Sequence, residues 1–474
     1  MNEQNRKLEL LGKAPVPKAL LALGIPSMIG MLVNTLYNVV DAYFVGGLGE
    51  RQVGAITVAF PLGQVVLGLG LLYGSGAASY IARLLGHGDK EKADKVASTA
   101  LYSSLATGLA AIILSVVFLS PILRLLGATD GIMPYATSYA SIYIISCIFS
   151  VFNVTMGNII SSEGAAKVTM IRLIIGAVLN AGLAPLFIYS FHLGVTGAAI
   201  ATALSQVISS GLFLLYIFQK KSVFRFRIQD CTFSKDIVSE IFKIGIPVLI
   251  FQILTSASIT LINQASAQYG DAAIAGMGVV TRLIAMGSMT VFGFIKGFQP
   301  IAGYSYGSKN FKRLREVTKL SVLWSTVFCV ILGAVFFLFP REIVSAFTAG
   351  NQEMLSVGAA ALRISSVSFI VFGYYSVYSS LFLALGKGKE GFFLGALRQG
   401  ICFIPVISIF PAFWGINGVF FAQPAADVLS ALITALMAVR LSKELAGNES
   451  ASASQTARGT AILSPDKMEN DQLL

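Results

Sequence analysis

KALLALGIPSMIGMLVNTLYNVVDAYFVG, residues 18–46, decides the fold. Its only charges are Lys18 at the start and Asp41 near the end. About 20 predominantly apolar residues cross a hydrocarbon core as a helix, and this run is long enough. Working outward, similar runs follow at 53–82, 94–118, 132–160, 167–190 and 194–219, then at 240–266, 273–303, 314–340, 355–384, 390–411 and 415–441. The sequence therefore predicts an all-α integral membrane protein with twelve spans. Of 474 residues, 55% are hydrophobic and 12% charged, against about 25% charged in soluble proteins. Mean hydropathy is +0.77. These values exclude a soluble multi-domain enzyme and a disordered chain. The start, MNEQNRKLELLGKAPVPK, is polar and basic rather than a cleavable signal, so the first run reads as a retained span.

Charge sets the expected orientation. One set of connections carries Arg83, Lys90, Lys92 and Lys95, then Lys220, Lys221, Arg225, Arg227 and Lys235. It continues with Lys309, Lys312, Arg313, Arg315 and Lys319, then Lys387 and Lys389. The other set carries little beyond Arg51, Arg124 and Arg341. The positive-inside rule places the basic set and both termini in the cytoplasm of a plasma-membrane protein. The net charge of +11 then reflects topology and anionic lipid, with no nucleic-acid partner. Expected divisions are an N-terminal segment 1–17, a first lobe 18–219, a linker 220–239, a second lobe 240–441 and a disordered tail 442–474. Cys147, Cys231, Cys329 and Cys402 form no CxxC pair, and there are two His. No metal site and no cofactor are expected.

The halves repeat at an offset of 221. Gly24-Ile-Pro26 matches Gly245-Ile-Pro247, Gly49 matches Gly270, Gly76 matches Gly297, and Gly86 matches Gly307. Gly194 and Gly197 match Gly415 and Gly418, and Gly164 matches Gly386 at 222. Six spans per repeat make the two repeats parallel, with a central cleft between six-helix lobes suited to alternating access.

Several stretches resemble the multidrug and toxic compound extrusion (MATE) family, closest to its MepA-like branch. They are LYNVVDAYFVGGLGE (36–50), AFPLGQ (59–64), SSEGAAK (161–167), LNAGLAPLFI (179–188), GVTGAAIATALSQ (194–206) and GFQPIAGYSYGSKN (297–310). The resemblance covers about 15–440. It implies a V-shaped central cleft between the lobes, in a monomeric antiporter driven by H⁺ or Na⁺ that exports bulky, amphipathic, often cationic drugs.

An ionisable group inside the membrane is costly and is a functional candidate by default. Asp41 is the one acid within the first lobe's spans apart from Asp94, the first residue of the run 94–118. The resemblance makes it the coupling carboxylate, with Asn180 and Thr202 as polar partners. By residue type alone, those two fit ordinary interhelical hydrogen bonding equally well. Many relatives carry an acid before the Pro of the fifth span, whereas this chain has Ala184-Pro185. Asn34, Asn38, Gln64, Asn153 and Asn158 are weaker candidates for the cleft wall. Met277, Met286, Met289 and Tyr374 offer adaptable apolar and cation–π surface. In the second lobe, Arg398 and Asp427 are expected to form a structural ion pair. Arg282, Lys296 and Asp427 have uncharged repeat partners, Pro61, Ser75 and Gln206.

Two other functions call for different residues. A flippase for lipid-linked oligosaccharides calls for several cations in the cleft, and the first lobe reads as having almost none. An integral membrane enzyme calls for a metal cluster or paired catalytic groups. Neither the two His nor any Walker motif supplies them.

Overall fold

The computed structural model describes residues 3–347 and 351–462. Among these the chain is helical, with no strand. A short helix α1 (Glu3–Gly12) precedes the spans. The first six are α2 (Val16–Gly46), α3 (Glu50–His87), α4 (Lys90–Val117), α6 (Met133–Ser162), α7 (Ala166–Pro185, continued by a π-helical turn over Leu186–Ser190) and α8 (Gly194–Phe218). The second six are α9 (Lys235–Ala267), α10 (Asp271–Gly307), α11 (Phe311–Leu338), α13 (Gln352–Ala384), α14 (Gly388–Ala396) joined through a π-helical turn to α15 (Phe403–Trp414), and α16 (Ile416–Ile462). Twelve of the described helical segments are long and apolar enough to cross a membrane.

Most helices overrun the apolar runs that predict them, and some of them start at a polar cap. Asp89 accepts from the Lys92 backbone N–H, and Asn310 accepts from that of Arg313, both at 3.0 Å. These caps are 221 residues apart and satisfy equivalent helix starts. Gly49 and Gly270 precede α3 and α10 with φ of +92° and +93°, a conformation that disfavours any Cβ. Two short helices that hydropathy misses, α5 (Leu119–Leu125) and α12 (Pro340–Ser345), again start 221 residues apart.

Within the first half, α3 packs on α4 and α6, and α8 on α6 and α7. Within the second, α13 packs on α11 and α16, and α15 on α16. Between halves, α2 lies against α10, and α3 crosses α9 and α10. Glycine makes these crossings possible. A Cβ at Gly86 would overlap the Tyr304 carbonyl, and one at Gly307 would overlap the Arg83 carbonyl. Residues 83 and 304 are themselves one repeat apart, so the α3–α10 crossing is two-fold related. Gly76 touches the Ile241 carbonyl, Gly245 that of Leu72, and Gly297 the backbone of Leu23 and Gly24. Repeated glycines Gly76, Gly86, Gly245, Gly297 and Gly307 thus line one seam near the basic connections, where the halves close on each other.

The terminal segments differ from expectation. The N-terminal segment forms α1, which fastens both halves on the basic side. Lys7 pairs with Glu163 at 3.3 Å and donates to Tyr216, while Gln4 donates to the Ser222 carbonyl at 2.7 Å. From the other half, Arg313 donates to the carbonyls of Leu11 and Ala14 at 3.1 and 2.6 Å. At the other end, α16 continues past residue 441 to Ile462, although a disordered tail is expected from 442. The segment 442–462 is rich in helix-compatible Ala, Glu and Ser with no Pro. Buried Leu445 and a Lys387–Glu444 pair tie its start to the bundle. Residues 463–474 of that expected tail lie outside the described residues.

Candidate functional site

Away from the seam the halves diverge around a cavity of about 1150 Å³ lined by residues of both. Asp41 lines it, five residues from the end of α2 farthest from the seam. Its Oδ1 is buried without a hydrogen-bond partner among the described residues. One turn earlier, Tyr37 is hydrogen-bonded to Thr202. Asn180 Nδ2 donates to the Thr202 Oγ1 at 3.2 Å. Tyr139 and Tyr143 stack with centroids 5.4 Å apart and also face the cavity. An acid, two amide or hydroxyl side chains and phenols thus meet in one corner of the first half. Such a corner can hold a proton on the carboxyl, or surround a small cation with oxygens.

Thr202, Asn34, Asn38, Gln64, Asn153, Asn158, Met277 and Met289 line the cavity as well. Asn180 does not, being 1% exposed behind Thr202. Met286 and Tyr374, expected in the cleft, fall outside it. On α10 the cavity stripe runs through Met277, Thr281, Ile284, Ser288, Phe292 and Lys296, and Met286 is off that helical phase and exposed on the outside. On α13 the stripe takes Tyr375, while Tyr374 turns to Tyr378, their centroids 4.9 Å apart. Ala184 is fully buried in an apolar cluster with Tyr139, Ala198 and Ala201 and does not face the cavity.

In the second half, Arg398 Nε donates to the Asp427 Oδ1 at 2.8 Å. Gln423 donates to the same oxygen at 2.7 Å, and Ser368 donates to Oδ2 at 3.2 Å. Arg398 sits in the π-helical turn before α15, over the Phe372 ring at 4.7 Å. At the matching place in the first half the tie is neutral, with Asn153 Nδ2 donating to Gln206 Oε1 at 2.9 Å.

Sequence reasoning missed Arg172. It lies six residues into α7, lines the cavity, is 9% exposed, and its Nε has no partner. The signal was present, since an Arg inside an apolar run is unusual for the same cost that singled out Asp41. Lys296 lines the same cavity and is paired with no acid among the described residues. Arg172 is thus the one cation that the first lobe brings to the cavity among the described residues. The charged lining residues are Arg172, Lys296 and Arg398 against Asp41 and Asp427.

A duplicated twelve-helix bundle, sealed along one face and hollow towards the other, defines a multi-pass membrane transporter. The family model described as MatE matches residues 26–186 and 247–409, and the chain belongs to that family, the multidrug and toxic compound extrusion transporters. It is 30% identical to the Multidrug export protein MepA of Staphylococcus aureus (strain MRSA252), over 93% of this chain and 98% of that one. Among solved structures, it is similar to a MATE in complex with MaL6, with a TM-score of 0.89 and 27% identity over 93% of this chain and 99% of that one. It is also similar to the outward-facing conformation of a multidrug resistance MATE family transporter, with a TM-score of 0.87, 28% identity and the same shares.

Proposed function

We propose that this chain is a cation-coupled antiporter that exports amphipathic organic compounds, cationic ones included, by alternating access. The observation that carries the reading is Asp41, an acid with an unpartnered oxygen in the wall of an otherwise largely apolar interlobe cavity. Binding of H⁺ or Na⁺ by this carboxylate neutralises the corner and changes which arrangement of Tyr37, Thr202 and Asn180 is preferred. An ion that binds one conformation better shifts the protein toward it. The apolar wall of Met31, Met277, Met289 and Phe292 accepts varied ligand bodies.

In this reading the basic face is cytoplasmic, both termini lie there, and the protein works as a monomer in the plasma membrane. Lobes 18–219 and 240–441 rock about the glycine seam, joined by the linker 220–239. The seam is closed and the cavity opens on the opposite side, which corresponds to the state that releases cargo outward. The flippase and membrane-enzyme readings draw less support, since the named relatives are multidrug exporters.

The test is efflux of a fluorescent cationic dye from proteoliposomes under separately imposed H⁺ and Na⁺ gradients. One gradient is expected to drive efflux, and Asp41→Asn to abolish it in a protein that remains folded. Efflux indifferent to both gradients, or undiminished in Asp41→Asn, overturns the coupling.

A further inference from the structure

We infer that the closed end of the cavity is a binding site for the anionic head of an amphipathic ligand, held between Arg172 of one half and Lys296 of the other. This deepens the export reading and rests on it for the fate of the ligand, though not for its binding. Arg172 stands six residues from the seam-side start of α7, about 9 Å along its axis. Lys296 immediately precedes Gly297, the seam glycine that rests on Gly24. Both cations therefore lie where the two halves meet, at the far end of the cavity from Asp41.

Neither has a counter-ion among the described residues. The acids that line the cavity are Asp41, at the other end, and Asp427, already engaged by Arg398. Arg172 is the charged neighbour that acts on Lys296, and it repels it. The Phe213 ring, 5.5 Å from the Arg172 guanidinium, gives partial compensation only. Two like charges in a largely apolar enclosure are each other's cost, and an anion between them turns both terms favourable. Neutral donors stand beside them in the wall: Ser75, Asn158, Thr169 and Gln299.

The repeat shows that Lys296 is not demanded by the frame. Its partner in the first half is Ser75, before the equivalent seam glycine Gly76. The fold tolerates a small hydroxyl there, and the second half has a charge instead. The ligand chemistry that fits is a carboxylate, sulfonate or phosphate on an apolar body, with the head at the seam and the body along Met31, Met289 and Phe292. The same head could come from a free organic anion or from an anionic lipid.

The experiment uses three probes with one apolar body: 1-pyrenebutyrate, its methyl ester and the corresponding pyrenebutyl trimethylammonium. Binding to the full chain in an uncharged detergent is read by fluorescence anisotropy. The acid is expected to bind at least about tenfold more tightly than the ester. Lys296→Ser and Arg172→Gln each bring the acid towards the ester's affinity, and Lys296→Arg keeps the preference. Lys296→Ser restores the first repeat's residue, and Lys296→Glu, which gives Arg172 a partner inside the protein, provides a second loss variant should either of the others fail to fold. In nanodiscs with and without phosphatidylglycerol, competition by the lipid assigns the head to a membrane source, and its absence assigns it to a free organic anion. Equal affinity for acid and ester, or an acid preference that survives in the folded variants, overturns the site and leaves the export reading untouched. Tight acid binding with no gradient-driven efflux of any probe overturns the export reading and leaves the site standing.

Discussion

Deleting the Asp427 carboxylate is expected to destabilise the protein more than deleting the Arg398 guanidinium. Both side chains are enclosed, at 6% and 8% exposure, and their contact is a single 2.8 Å charged hydrogen bond. Removing one member of a buried pair costs roughly 3–5 kcal/mol in soluble proteins, because the other charge is stranded. In Asp427→Leu the stranded group is a guanidinium, which cannot lose its proton. The Phe372 and Tyr375 rings, 4.7 and 5.9 Å away, recover part of the loss, about 0.5–2 kcal/mol, leaving a net cost near 3 kcal/mol. In Arg398→Leu the stranded group is a carboxylate that keeps Gln423 and Ser368 as donors. A carboxyl can also shed its charge by taking up a proton, so about 2 kcal/mol is expected.

The double variant strands no charge and leaves only Gln423 and Ser368 without their acceptor; replacing a buried pair by apolar groups is often close to neutral, so its cost is about 1 kcal/mol. With single costs near 3 and 2 kcal/mol, the double-mutant cycle should therefore return a coupling of about 4 kcal/mol. The assay is unfolding of the purified protein in mixed micelles titrated with dodecyl sulfate, for wild type, both single variants and the double. A coupling under about 0.5 kcal/mol, or a double variant as unstable as the singles added together, refutes the argument that the pair is held by mutual neutralisation.

The remaining predictions follow from other contacts. Gly307→Val forces a side chain onto the Arg83 carbonyl and should open the seam, raising the labelling rate of a cysteine placed at Ser79 from the basic side; an unchanged rate refutes the seam as gate. Glu163 is fully buried, which holds its carboxyl above the ordinary range despite Lys7, Tyr216, Val223 and Ser222. The native state then keeps a proton that the unfolded state has lost, so stability falls as pH rises from the ordinary carboxylate range to the raised value and is level above it. Thermal midpoints across pH 4–8 should show that descent and Glu163→Gln should flatten it; a rising slope refutes it. Ala184→Asp places a carboxylate in a sealed apolar cluster, so it should cost folded yield by roughly 2–4 kcal/mol rather than alter coupling, and a well-folded variant with a shifted pH profile of efflux refutes that placement.

Much of the frame was legible because a membrane helix announces itself in length and hydropathy, and because the repeat doubles each signal. The spans, the charge asymmetry and the repeated glycines needed one sequence only. The cleft wall was less legible. Helical phase places Met289 inside and Met286 outside, and a three-residue difference is beyond a span boundary uncertain by several residues. Arg172 was legible only as an Arg inside an apolar run, and nothing local shows that it faces the cavity. The binding of Lys7 to Glu163 joins residues 156 positions apart, and no local pattern announces such a contact. The continuation of α16 past 441 rests on packing of Leu445, which composition does not show.

Comparison of the two halves separates what holds the protein from what it does. Positions where the repeats agree are backbone devices: the left-handed Gly49 and Gly270, the caps Asp89 and Asn310, and the crossings of Gly86 and Gly307. Positions where they disagree carry charge into the cavity. Asp41 faces its repeat partner Ile262, Lys296 its partner Ser75, and Asp427 its partner Gln206, and all six line the same space. A symmetric frame would place the same residue on both walls, and a like pair across a shared cleft binds a head group equally from either side. Breaking the symmetry puts an acid at the open end of one half and a cation at the closed end of the other. Exchanging the residues between repeats tests that division directly. Asp41→Ile combined with Ile262→Asp keeps composition and moves the acid to the other wall, away from Tyr37, Thr202 and Asn180. Gradient-driven efflux should be lost while thermal stability stays within about 2 kcal/mol of wild type, and efflux that survives the exchange would mean that the acid acts through the shared cavity rather than through its own corner.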